Sequence, residues 1–109
     1  MAYATVEQLA EEVRQPLTDA NRDRFQRCLD AAALEIDHYC DRFPDNPIPT
    51  GDPLAASVNL ARGLEWWKAN DAAFGVIGFT DTGALQAPRD SFARHGRELI
   101  PLKDQFGVA

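Results

Sequence analysis

The sequence predicts a mainly α-helical fold: a small helical bundle built around a long central helix, with a small β-hairpin and an extended C-terminal arm. Three observations carry that expectation. Apolar residues recur at steps of three and four between Phe25 and Phe43, Thr5 and Gln8 are spaced as a capping box, and Asp52-Pro53 pairs an N-cap residue with the one residue that costs nothing at the first helical position. At 109 residues the chain makes one domain, and 45% hydrophobic with 26% charged residues excludes both a disordered tail and a coiled-coil rod. A domain of this size buries roughly two-thirds of the surface its unfolded chain exposes, enough to fold without a metal or a disulfide.

The first helix begins at the Thr5 box and runs to about Arg14, with Leu9 and Val13 on its apolar side, Glu7, Glu11 and Glu12 on its wet side, and Pro16 as its stop. The second is read from Phe25, Cys28, Leu29, Ala32, Ile36, Tyr39, Cys40 and Phe43. Thr18, Asp19 and Asn21 all remain possible caps for it, and Phe43-Pro44 ends it. Four of the seven prolines and Gly51 fall between Pro44 and Pro53, which predicts a stiff extended loop. The third helix opens at Asp52-Pro53 and reaches Asn70 or Asp71. Its apolar residues, Leu54, Val58, Leu60, Ala61, Leu64, Trp66 and Trp67, cover more than half its circumference, so a second covering surface is implied. Apolar runs 75–79 and 84–87 around Thr80-Asp81-Thr82-Gly83 read as the hairpin. Pro88-Arg89-Asp90 then starts a short helical turn through Phe92 and Arg94, Gly96 interrupts it, and a weak helix covers 97–105. The division is therefore 1–88 for the helical domain with its hairpin and 89–109 for the C-terminal arm.

The net charge of −6 disfavours non-specific binding to nucleic acid phosphates, and only residues 89–109 carry a net positive charge. No run approaches the length of a membrane span and the N-terminus lacks a signal-peptide layout, so a soluble protein made in the cytoplasm is expected. Cys28 and Cys40, twelve residues apart on one helix, would stand about 18 Å from each other and cannot bridge, which fits a reducing compartment. With His38 and His95 they form no recognised metal spacing, and no cofactor or metal is expected.

Asp81-Thr82-Gly83-Ala84 matches the catalytic tetrapeptide of retroviral-type aspartic proteases. That chemistry needs the aspartate at the end of an apolar strand in an all-β dimer, so that two carboxylates share a proton. Here helices precede it, Thr80 stands where an apolar residue should, and a hairpin turn accounts for the four residues better. No nucleophile elbow, phosphate-binding glycine loop or His-Glu-x-x-His motif is present, and Glu65, Asp30 and Glu35 read as solvated helical carboxylates. No enzyme is expected. Thr5 to Val13 followed by Arg22, Arg24 and Arg27 resembles a helix-turn-helix, but the linker lacks the usual tight glycine turn and Asp23 and Asp30 interleave the arginines. Adjacent Trp66 and Trp67 point about 100° apart, so either one serves an interface or the hairpin folds back over it.

The segments Ala32-Ala33-Leu34-Glu35-Ile36-Asp37-His38-Tyr39-Cys40, 53–67 and 74–79, taken with the order of elements, resemble the head-tail connector, or adaptor, proteins of long-tailed double-stranded DNA phages, in particular those infecting actinobacteria. The resemblance covers nearly the whole chain and rests on packing patterns. It implies a structural virion protein at the head-tail interface, assembling as a roughly twelvefold homo-oligomeric ring that extends the DNA channel. Its partners would be the portal protein on one side and a tail-side connector or tail terminator protein on the other, with duplex DNA passing unbound and no membrane involved. The interface candidates are Trp66, Trp67, Phe79, Arg89, Phe92, Arg94, Arg97, Leu102, Phe106 and Val108. By the same resemblance 89–109 is the portal-docking arm, whose removal from residue 98 onward should leave the helical domain folded. The competing expectation is a small helix-turn-helix DNA-binding regulator using Arg22, Arg24 and Arg27.

Overall fold

Thr5 opens helix α1 (Val6–Val13) through a reciprocal capping box: its hydroxyl accepts the Gln8 N–H at 3.1 Å, and the Gln8 side chain accepts the Thr5 N–H at 2.9 Å. The computed structural model describes residues 2–42, 46–76, 87–89 and 91–107. Arg14, in the left-handed region at φ 64°, ends α1, and the Gln15 N–H closes back on the Ala10 carbonyl at 3.1 Å. Of the three cap candidates for α2 (Asp19–Tyr39), the chain uses Thr18, whose side chain accepts from Asn21 while Asn21 bonds back to the Thr18 N–H. That helix stops before Phe43. Asp41 turns to φ 56°, and the Asp41 and Arg42 N–H groups bond the His38 and Asp37 carbonyls, a Schellman closure that folds the buried Cys40 inward.

Asp52 caps α3 (Pro53–Val76), accepting from the Leu54 and Ala55 N–H groups at 2.9 and 3.0 Å. The helix continues past the expected end, so Gly75 and Val76, assigned to the first strand of the hairpin, are helical. The described residues contain no strand, Ala87 of the expected second run among them, and the rest of the hairpin expectation, 77–86, lies outside them. The glycine at 75 reads in sequence as a break, yet one glycine costs a helix only about 1 kcal/mol.

The C-terminal segment also departs from expectation. A 3-10 turn, Phe92–His95, runs directly into α4 (Gly96–Gly107), and Gly96 joins the two instead of interrupting them. Gly96 is needed because a Cβ there would collide with the Tyr39 hydroxyl. Leu99 and Leu102 are fully buried against Ile36, Cys40, Ile48, Ala55 and Val58, so the segment is part of the core and not an extended arm. Removing 98–109 would open that core, contrary to the expectation that the helical domain survives it.

Thus the fold is mainly helical, and α2 and α3 pair along its middle with α1 and α4 flanking them. A second apolar cluster joins Val6, Leu9 and Ala10 of α1 to Phe25, Cys28 and Leu29 of α2 and Trp67 of α3. Gly63 permits the close approach there: a Cβ would stand 2.9 Å from the Leu29 side chain.

Candidate functional site

Among the described residues, a cluster of interior charges forms where α2, α3 and the 3-10 turn meet. Arg62, its side chain only 3% exposed, donates through Nε to Glu35 Oε1 and through Nη2 to Glu35 Oε2, both at 2.9 Å, and through Nη1 to Glu65 Oε1 at 2.7 Å. The Trp66 indole N–H donates to Glu35 Oε1 at 2.7 Å. Glu65 also pairs with Arg94, and His95 Nε2 stands 3.4 Å from its Oε1. The Phe92 ring closes one side, its centroid 5.5 Å from the Arg62 guanidinium carbon. Glu35 and Glu65 are therefore anchors of an internal network and not solvated carboxylates.

Burial alone would push the Glu65 carboxyl up, but hydrogen bonds from Arg62 and His95 and the charges of His95 and Arg94 outweigh it and hold it below the usual range. The Arg62 guanidinium is correspondingly held more firmly protonated, chiefly by its Glu35 bonds. A carboxylate so engaged holds the C-terminal segment to α3.

A second polar construction pins the N-terminal residues. Asn59, fully buried, accepts the N–H groups of Tyr3 and Ala4 at 2.8 Å each and donates to the Leu29 carbonyl at 2.9 Å. The Tyr3 hydroxyl donates to Asp37, and burial, followed by that bond, pushes its pKa well above the ordinary phenol value. A cleft of about 510 Å³ opens beside this pair, lined by Tyr3, Asp37, Pro47, Ile48, Pro49 and Thr50 among others. Arg42, also buried, donates to the carbonyls of Pro47 and Leu102 at 3.3 Å and so ties the proline loop to α4.

Of the expected interface residues, Trp67 is core: 3% exposed and stacked on Phe25 at a centroid distance of 4.2 Å. Trp66 is half-buried and belongs to the Glu35 network. Phe92 packs edge-on against Tyr39, and Leu102 is interior. Arg89, Arg94 and Arg97 are exposed. Phe106 falls on the last turn of α4, and Phe79 and Val108, like Asp81-Thr82-Gly83-Ala84, lie outside the described residues. Cys28 and Cys40 are free and buried, and burial pushes the Cys28 thiol up to about 12, which makes it a poor nucleophile. Among the described residues no group of three or more His, Cys, Asp or Glu could hold a metal ion, and no helix is long and apolar enough to cross a membrane.

Comparison with protein-family models, curated proteins and solved structures returned no match.

Sequence reasoning missed Asn59, Arg42 and the Arg62 network. Asn59 was visible as a lone amide between Val58 and Leu60 on the apolar side of a helix, where burial demands partners. Arg62 and Glu65 stand at i,i+3, but nothing local in the sequence brings Glu35 or Arg94 to them.

Proposed function

We propose that this chain is a structural subunit of a phage head-tail junction, a connector that assembles between the portal and the tail and extends the DNA channel. The observation that carries the reading is that two of the segments resembling connectors, 32–40 and 53–67, fall on α2 and α3, the paired helices around which the molecule is organised. The strongest charges, Arg62, Glu35 and Glu65, are spent on holding this chain's own elements together, as a subunit that must keep its shape in an assembly requires. The net charge of −6 suits a protein near passing DNA that must not grip it. For a helix-turn-helix regulator using Arg22, Arg24 and Arg27, the same net charge and the interleaved Asp23 and Asp30 oppose phosphate contact, and the Glu7 carboxylate lies 3.4 Å from Arg22.

Native mass measurement of the purified chain mixed with portal rings tests the reading. A complex carrying about one copy per portal subunit is expected. No complex, together with duplex-DNA binding that weakens steeply with salt, would replace the connector reading with the regulator.

A further inference from the structure

The faces of α3 define two flanks. Ala55, Val58, Arg62 and Glu65 meet α4 and the 3-10 turn, whereas Leu60, Gly63, Leu64 and Trp67 meet α1 and its neighbours. At about 100° per residue the two sets point in nearly opposite directions. On the α1 flank a groove of about 280 Å³ runs between the helices, floored by Leu60, Ala61 and Leu64 and edged by Glu12. Beside it Glu11 adds a second carboxylate, with Gln8 and Arg14 lining the same surface. On the α4 flank Arg97, Ile100 and Pro101 share the outward face, at i, i+3 and i+4, and Ile100 is 49% exposed. Among the described residues Glu11, Glu12 and Arg97 make no ion pair.

We infer that the outward face of α4 of one copy docks in the α1–α3 groove of the next, with Ile100 on Leu60 and Leu64 and Arg97 against Glu11 and Glu12. This rests on the proposed function, in which copies of the chain assemble. The occupant is a second copy because the molecule itself carries both halves: an apolar groove with an acidic edge, and an apolar ridge with a basic neighbour. Because the halves lie on opposite flanks, the contact is head-to-tail, the geometry that closes into a ring or runs on as a filament and does not stop at a dimer. It gives the α4 face to the neighbouring copy and not to the portal.

Cysteine pairing tests the inference on the full chain, with and without portal rings, since native Cys28 and Cys40 are buried. Under diamide oxidation Ala61→Cys mixed with Ile100→Cys should give a disulfide-linked dimer that neither gives alone, and the double variant should give a ladder. Adding Arg97→Glu should cut the ladder about tenfold, and Glu12→Arg in the same chain should restore it. Circular dichroism confirms that each variant is folded. Like-with-like dimers, linkage of Ile100→Cys to the portal, or no linkage in either setting would overturn the proposed contact. Loss of the contact with portal binding intact leaves the connector reading standing, whereas loss of both removes both.

Discussion

At the scale of single residues, the adjacent tryptophans separate two kinds of contribution. Trp67 is stacked on Phe25 and buried, so Trp67→Ala should lower unfolding free energy by about 3–5 kcal/mol in urea titration. Trp66→Phe removes the N–H donated to Glu35 together with part of the half-buried bicycle, which should cost about 1–2 kcal/mol. Arg62→Met leaves the partly buried Glu35 without its cation, while Glu65 keeps Arg94 and His95. It should cost about 3–5 kcal/mol, and adding Glu35→Gln should recover a large part of that. Equal losses for Trp66→Phe and Trp67→Ala would contradict these assignments. The sequence showed that the two indoles must diverge, because neighbours on a helix do. Which one entered the core depended on where Phe25 of another helix arrives, and adjacent-residue geometry carries no such information.

Elements reveal what was legible and why. The Thr5–Gln8 box and the Asp52 cap were readable because a cap is a contact over two or three residues. The end of α2 was not, because it is set by Asp41 adopting a left-handed conformation before Phe43 is reached. The C-terminal segment departs from the sequence expectation for a different reason: Leu99 and Leu102 are ordinary apolar residues in sequence, and their burial comes from Ile36, Ala55 and Val58, 41 to 66 positions away. Beside the packing of Leu99 and Leu102, Glu65 ties this segment to α3, faced by Arg62 on its own helix and by Arg94 and His95 from the 3-10 turn. A carboxyl lowered in the folded state stabilises fully above its unfolded value and loses that stabilisation as pH falls through the folded one. Amide exchange should therefore show α4 losing protection at acidic pH, below about 4, before the α2–α3 pair does. Glu65→Gln should flatten that dependence, and a uniform loss of protection in α2, α3 and α4 would show that Glu65 is no latch. Gly96→Ala should weaken the same attachment at every pH by driving Tyr39 from its place against Phe92.

For the molecule as a whole, charge and helix patterning conveyed the class, a mainly helical acidic domain, while the internal salt-bridge network could be seen only once the helices were placed. The elements are fixed to each other from inside, by Arg62 across α2 and α3, by Arg42 between loop and α4, and by Asn59 at the N-terminal residues. Under the proposed function, contacts with neighbouring copies then need not hold the subunit together. The proposed function makes this chain a stoichiometric part of a virion vertex. Quantitative mass spectrometry of purified phage particles that encode it, counting its copies against portal subunits, tests that claim most directly. A ratio near one is the result the account predicts for a ring matched to the portal, and absence of the chain from particles that contain the portal would contradict it.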